Sequence, residues 1–434
     1  MTVLRPDFPD HGSPFSRRQE RDLKTAAIRS AASRRFNAQG VLGARLEDIA
    51  ADLGLTKTSI AYYYASKEEL AEAAFLSSVE FLIEAVSRAE AANDAPGLKV
   101  LALFQAYGEQ LSEAIEGQRP FPARLQELDT LSEEVQTRIT GQLSEAVNRV
   151  NAMTCDWLEE AGLSARRAEP VTYCLFGLLD WLTVRAGEET AAQFSDSANV
   201  LRDILRQGLT EAGPVSNEIA PQFVSNDELP QIFDREARNR MKRDAFLKAG
   251  IRFFNLYGFE GVSLAEVAGS LGVTRGAFYY HIPDKESFLD QCLEHSLQMV
   301  ETTLDAAADS LDGLAFLRRA AFDLIYMQAS GISPIIRLEL MAALPAARRN
   351  RHQARLRNIT RRLGDSHDAA VSAGEARPHE ASIVESILTG VMFINSGYTL
   401  AASSTMNDWR MSQNPQSATN DFLYVLLYGL AARP

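Results

Sequence analysis

The side chains of this 434-residue chain that could do chemistry lie on two short segments, not in a catalytic constellation. No HExxH, GxSxG, SxxK, Walker or GxGxxG pattern occurs, and the histidines and the three cysteines (Cys155, Cys174, Cys292) are scattered without metal-ligand spacing. An enzyme is therefore the most distant reading, and neither a metal nor a cofactor is expected. The informative pattern is a different one. Ser263 followed by Glu266 is a capping-box signature that opens a short helix, Leu264–Leu271. Gly272 permits the left-handed turn that ends it, and Thr274 can cap a second short helix from Arg275 to about Tyr280. Leu46–Leu53, Gly54 and Lys57–Tyr63 repeat the arrangement. Two short helices joined by a glycine-containing turn form a helix-turn-helix. In that geometry the second helix enters the DNA major groove and turns its exposed side chains toward base edges and phosphates. The chemistry to expect is hydrogen bonding and charge pairing to a polyanion.

The elements that must hold these segments are duplicated. Residues 36–70 and 254–288 align without a gap at an offset of 218, with 12 of 35 positions identical, among them Phe36/Phe254, Asn37/Asn255, Gly54/Gly272, Thr56/Thr274, Tyr62/Tyr280 and Lys67/Lys285. The period is half the chain, which marks a tandem duplication. Fainter echoes follow, with Arg124–Leu128 resembling Arg337–Leu340 and Gly208-Leu209 resembling Gly429-Leu430. The formal net charge of −13 argues against a nucleic-acid partner for the chain as a whole. Locally the balance reverses: residues 17–70 carry ten Lys/Arg against seven Asp/Glu, and residues 235–288 nine against six. Two mildly basic segments on an acidic body mark where a polyanion could dock. Apolar residues recur at helical spacing in Ala27–Phe36, Val135–Leu158 and Phe316–Tyr326, and strand-like alternation is absent, so the fold class is all-α. Glu211–Asp234, with Pro214, Pro221 and Pro230, reads as an extended linker. No apolar run is long enough for a membrane span. The lack of a secretory signal and the sparse cysteines fit a reducing cytoplasm.

The string G-V-T-R-G-A-F-Y-Y-H-I-P-D-K-E-S-F-L, Gly272–Leu289, with the G-x-x-x-x-S pattern at Gly258–Ser263, resembles the recognition region of the tetracycline-repressor (TetR) family. The resemblance covers about 50 residues of each half. It implies two tandem units, each with a three-helix DNA-binding domain and a larger helical domain for ligand binding and dimerisation. By resemblance, Ser263, Thr274, Tyr279, His281 and Lys285 contact the DNA backbone or base edges, while Arg275, Gly276 and Ala277 read sequence at the helix start. In the first copy the counterparts are Arg45, Thr56, Lys57, Thr58, Ser59, Ala61, Tyr63 and Lys67. Tyr280 and Tyr62 are expected to pack inward with Phe254, Leu264, Val267 and Leu271. Two departures stand out. Ala61 removes one phenol from the DNA face, and Arg45 replaces the N-cap serine, at a cost of about 1 kcal/mol in capping.

These observations divide the chain into a disordered arm (1–16), a first DNA-binding domain (17–70), a first helical ligand and dimerisation domain (71–210), a linker (211–234), a second DNA-binding domain (235–289) and a second helical domain (290–434). Candidate pocket residues are Phe104, Tyr107, Trp157, Tyr173, Phe176 and Trp181 in the first half, with Asp180 available to the indole N–H groups. In the second half they are Phe322, Tyr326, Met327, Met341, Met392, Phe393 and Tyr398. An apolar pocket of this kind implies a lipophilic or aromatic small-molecule effector. Because one chain carries both heads, the expectation is an intramolecular pseudo-dimer on double-stranded operator DNA, with Ala198–Leu209 and Asn420–Leu430 as the mutual interface; further homodimerisation stays open. The function the resemblance implies is a ligand-responsive regulator, a repressor by default with activation left open, released from DNA by its effector. A helical binding or scaffold protein that has partly lost DNA recognition is the alternative, which Ala61 leaves open for the first half.

Overall fold

The computed structural model of the chain describes residues 17–92, 95–125, 127–211, 219–221, 235–309, 311–330, 333–392 and 414–430. The expected arm, most of the expected linker, and Phe393 and Tyr398 lie outside them. Among the described residues there is no strand, only an isolated bridge between Thr210 and Ala376. The class is all-α, as the periodicity implied. No described helix is long and apolar enough to cross a membrane.

The first half runs α1 (Arg17–Gly43), α2 (Leu46–Asp52), α3 (Lys57–Ala61), α4 (Lys67–Ala91), α5 (Pro96–Ile115), α6 (Glu133–Glu160), α7 (Ala168–Glu188) and α8 (Ala191–Gln207). The second half repeats the order with α9 (Arg235–Gly261), α10 (Leu264–Ser270), α11 (Arg275–His281), α12 (Lys285–Ala308), α13 (Gly313–Ala329), α14 (Ala346–Ser372), α15 (Ala381–Met392) and α16 (Pro415–Tyr428). A short 3₁₀ turn precedes α6 (Leu128–Thr130) and α14 (Leu338–Ala343). The duplication thus extends through the whole described helix order, well past the segment where sequence identity is visible.

The chain forms two compact units, Met1–Trp157 with Leu179–Arg202, and Leu158–Leu178 with Asp203–Pro434. In the first, Ile28, Ala32, Phe36, Ile49, Ile60, Leu70 and Phe75 are buried together at the head, with the Phe36 and Phe75 rings 6.3 Å apart. Arg35 grips Asp52 through two bonds of 2.6 Å, joining α1 to α2. In the second unit the same place is aromatic: the ring of Phe288 lies 5.5 Å from Phe254 and 5.4 Å from Phe278, and Phe246 lies 5.2 Å from Phe278. Leu70 of the first copy is Phe288 in the second, and Ala32 is Gly250. The exchange is compensating, because a Cβ on Gly250 would come within 2.6 Å of the Phe288 ring. Filling one side of a close-packed core requires emptying the other.

The second unit also takes in the end of α8. Leu209 N–H donates to Leu426 O at 2.9 Å, and Leu430 N–H donates to Leu205 O at 2.5 Å. Each residue of the first bond is shifted by 221 positions in the second, so the two bonds are reciprocal. Gly208 and Gly429, also 221 apart, sit at the crossing with φ of 77° and 76°. A Cβ on Gly208 would overlap the Leu427 carbonyl, and one on Gly429 would lie 2.6 Å from the Gly208 nitrogen. Only glycine combines the left-handed backbone with so close an approach.

Candidate nucleic-acid interface

Each head builds its exposed helix from a short local code. Gly54 and Gly272 take φ of 66° and turn the chain out of α2 and α10. The turn closes in the same way in both copies: Leu55 N–H bonds Ala50 O at 2.9 Å, and Val273 N–H bonds Ala268 O at 3.1 Å. Thr56 then caps α3, its Oγ1 accepting from Ser59 N–H at 3.2 Å while also lying 2.8 Å from Thr58 Oγ1 and 2.9 Å from Ser59 Oγ. These hydroxyls and the free N–H groups of the first helical turn present hydrogen-bond donors beside a positive dipole end, where phosphate oxygens are favoured.

The expected capping box at Ser263 does not form. Ser263 occupies the N-cap of α10 with extended backbone, but its side chain makes no capping bond, and neither does that of Arg45 on α2. Backbone carbonyls close both starts: Ser263 O accepts from Glu266 at 3.0 Å and Val267 at 3.1 Å, and Arg45 O from Asp48 and Ile49 at 3.1 Å. With no side-chain cap in either copy, replacing serine by arginine removes none.

The inward packing expected of Tyr62 and Tyr280 is overturned as well. Tyr62 is 74% and Tyr280 85% exposed. Ile60 and Tyr64 in the first head, and Phe278 and Ile282 in the second, are the buried residues instead. They are spaced i, i+4, so they fix one helix face against the core and turn the intervening positions outward. Both tyrosines therefore join the surface that sequence reasoning gave to Tyr63 and Tyr279. Their identity at the constant offset marks them as surface residues that both copies share, despite phenol rings large enough for a core.

The other expected residues fall as follows. Arg45, Thr56, Lys57 and Thr58 are exposed and Ser59, Tyr63 and Lys67 half-buried; Thr274, Arg275, Gly276 and Tyr279 are exposed and Ser263, His281 and Lys285 half-buried. The side chain of Ala277 lies outside the described residues. The Lys57 ammonium sits 2.8 Å from Glu47, and its bond holds that carboxyl below the usual range. The Lys67 ammonium turns back to the end of α1, bonding Leu42 O at 2.9 Å and Ala44 O at 3.2 Å, and burial lowers its pKa. Lys285 does the same to Glu260 O at 3.3 Å, over the Phe259 ring at 4.6 Å. An ammonium has three protons, so each lysine can tie its head together and still offer a donor outward. The His281 ring packs against Phe246 at 5.9 Å and Tyr280 at 5.0 Å.

Sequence reasoning saw the identity of Asn37 and Asn255 but gave them no role. Asn37 Nδ2 donates to Pro122 O at 3.0 Å while its Oδ1 accepts from Arg124 N–H at 2.7 Å. Asn255 makes the same pair, to Ile335 O at 2.8 Å and from Arg337 N–H at 2.9 Å. Ser78 Oγ accepts from Ala123 N–H at 2.8 Å, and Ser296 Oγ from Ile336 N–H at 3.1 Å.

Among the candidate pocket residues, Phe104, Tyr107, Trp157 and Trp181 are buried in the first unit, whereas Phe176 (buried) and Tyr173 (half-buried) belong to the second. Phe322, Met327, Met341 and Met392 are buried and Tyr326 half-buried, with the Phe322 and Tyr326 rings stacked at 5.8 Å. Tyr107 OH lies 2.9 Å from Thr183 Oγ1, and burial pushes its pKa up to about 12. Asp180, named above for the indoles, accepts from Arg124 through both oxygens, at 2.8 and 2.6 Å, the fork geometry that suits a guanidinium and a carboxylate. Trp157 Nε1 is buried without a hydrogen-bond partner. Among the described residues no group of His, Cys, Asp or Glu could hold a metal ion.

The chain matches the family described as bacterial regulatory proteins, tetR family, at residues 28–74 and again at 246–292. It is 33% identical over 60 residues to the Transposon Tn10 TetC protein of Escherichia coli, covering 14% of this chain and 30% of that protein. It is 31% identical over 72 residues to the uncharacterized HTH-type transcriptional regulator YerO of Bacillus subtilis (strain 168), covering 17% and 25%. It is 29% identical over 80 residues to the tetracycline repressor protein class C of Escherichia coli, covering 18% and 36%. The matched segments thus span about a third or less of these relatives. Among solved structures, the TetR family transcriptional regulator PfmR from Thermus thermophilus aligns at 22% identity with a TM-score of 0.32, over 41% of this chain and 95% of that one. The chain thus carries two in-register copies of the domain that marks bacterial regulatory proteins of the tetR family, at residues 28–74 and 246–292.

Proposed function

We propose that the chain is a ligand-responsive transcriptional regulator, acting as a repressor, that binds double-stranded operator DNA through two non-identical heads on one polypeptide. The observation that carries this reading is the pair of outward-facing short helices, α3 and α11, whose exposed residues differ: Lys57, Thr58 and Tyr62 on one, Arg275, Gly276, Tyr279 and Tyr280 on the other. Unequal recognition helices imply an imperfect palindrome, with half-sites about one helical turn or a multiple apart. On this reading residues 17–70 and 235–289 are the DNA-binding domains, and 71–210 and 290–434 are the domains for ligand binding and pairing. The reciprocal bonds at Gly208 and Gly429 support an intramolecular pseudo-dimer, since a pseudo-two-fold pairing makes each contact twice.

A small lipophilic or aromatic effector is the proposed release signal. Buried aromatic side chains support it, as do the amide of Gln110 and the indole N–H of Trp157, which are buried without hydrogen-bond partners. Such atoms are rare in folded proteins, and a ligand with its own polar groups would pair them. Release requires only that the effector prefer the conformer that fits the groove poorly.

The test is selection of bound fragments from genomic DNA, followed by footprinting at several salt concentrations. The expected result is an asymmetric protected site of about two turns, with a steep salt slope that Arg275→Ala flattens by about one unit. Recovery of no specific fragment would overturn the reading.

A further inference from the structure

We propose that Asn37 and Asn255 are positioning residues that seat each recognition head on the helical body of its own half, and that in the first half the Arg124–Asp180 pair carries that seat to α7. The inference rests on the DNA-binding reading above and adds the route by which the body controls the head.

Both asparagines use each end of the amide on the main chain of one loop, accepting from one N–H and donating to a carbonyl two residues earlier. A single amide that satisfies two opposed backbone groups fixes the loop in both position and direction. A serine of the next long helix, Ser78 on α4 or Ser296 on α12, takes the N–H in between. Three consecutive loop residues are thus held by α1 and α4, or by α9 and α12, the helices that flank the helix-turn-helix in sequence. Two of the three clamped residues differ between copies, Pro122-Ala123 against Ile335-Ile336 before an arginine in each, while the clamping residues are identical. The bonds go to backbone, so only the clamps need to stay fixed. Packing does not demand asparagine next to Phe36 or Phe254, where an apolar residue would serve the core.

In the first unit the loop leads on. The Arg124 side chain is 8% exposed and engages Asp180 of α7 through both Nε and Nη2. One turn along α7, Thr183 meets the hydroxyl of Tyr107 on α5. Trp181 and Tyr107, both candidate effector residues, therefore adjoin a continuous chain of bonds from Tyr107 through α7 and Arg124 to Asn37. A shift of α7 against α5 must either break this chain or move the loop that α1 holds. An effector bound between those helices reaches the head without touching it.

The test uses the full chain, with hydrogen exchange on the free protein and binding to DNA fragments selected by the unaltered chain, intact or with one half-site scrambled. Asp180→Asn, which removes the charge and keeps the shape, should raise exchange at least tenfold at Phe121, Ala123 and Arg124 and in α1–α3, leaving α9–α11 unchanged. It should weaken binding to intact fragments at least tenfold while binding through the first head's half-site alone, and its salt slope, stay as they were. Asn37→Ala should do the same more strongly and Asn37→Asp less; Asn255→Ala should raise exchange in α9–α11 and weaken binding to intact fragments while binding through the second head's half-site alone stays as it was. If Asp180→Asn raises exchange only within α7, or if single half-site binding falls along with the rest, these groups are structural and the proposal is overturned. The exchange arm needs no DNA, so recovery of no fragments would sink the DNA-binding reading and leave the seat to be judged by exchange alone.

Discussion

Gly208→Ala offers the sharpest test of the crossing between the end of α8 and α16. The residue sits at φ 77°, where a side chain costs about 1–2 kcal/mol. Its new Cβ would overlap the Leu427 carbonyl oxygen and lie 2.6 Å from both the Leu427 and Tyr428 carbonyl carbons. These are backbone atoms, which cannot rotate away. The two segments must separate, which gives up the bonds from Leu209 to Leu426, Thr210 to Leu427 and Leu430 to Leu205. At about 1 kcal/mol for each bond, the total reaches about 4–5 kcal/mol. Gly54→Ala is the control within the same chain: φ is 66°, yet nothing lies within 4 Å of the new Cβ, so only the backbone cost of about 1–2 kcal/mol remains. The difference of about 3 kcal/mol is a factor of about 10² in the opening equilibrium. Amide hydrogen exchange reads it directly, because Leu209, Thr210 and Leu430 should lose protection in Gly208→Ala and keep it in Gly54→Ala. Whole-chain denaturation is a poorer assay for this one crossing, which can open without the rest of its unit unfolding. If those three amides exchange within threefold of their original rates in Gly208→Ala, the segments are not bonded as described and the reasoning fails.

Other perturbations separate core from surface. Gly250→Ala should destabilise the second head by about 1–3 kcal/mol through collision with Phe288, and adding Phe288→Leu should recover much of this by recreating the Ala32/Leu70 pair of the first head; a double-mutant cycle in urea unfolding checks it. Phe278→Ala should cost about 3–5 kcal/mol, whereas Tyr280→Ala should leave the unfolding midpoint unchanged and weaken DNA binding; equal effects on stability would contradict the observed helix register. Burial holds the pKa values of His295, His367 and His379 below the ordinary histidine value. As pH falls through about 6.5 the unfolded chain takes up protons that the folded chain resists, so stability should be full above pH 7 and decline toward pH 5. His367→Asn should flatten that decline in urea midpoints measured across the range, and an unchanged slope would remove this residue from the account. Arg35→Ala should cost at most about 1 kcal/mol despite its good geometry, because both partners are about 30% exposed and water screens the pair.

The features legible in the residues alone are those whose physics is local. Two short helices around Gly54 and Gly272, Thr56 as a cap, the all-α class and the duplication follow from spacing, backbone freedom and a constant offset, and these need no distant neighbour. Even so, local signals misled where several residues competed for one role. Ser263 has the composition of a capping box, yet the backbone closes that turn unaided. Tyr62 and Tyr280 look like core by size, but Ile60 and Phe278, two positions earlier, had already claimed the buried face. Which residue wins depends on what packs against the helix, and that is supplied by other elements. The amide seats of Asn37 and Asn255 join residues more than 80 positions apart, and the Gly208–Gly429 crossing joins residues 221 apart. No periodicity or motif encodes such partners, because their free energy arises only when the chain has brought separate backbones within hydrogen-bond reach. Repetition in the sequence pointed to the residues, and tertiary packing decided what they hold.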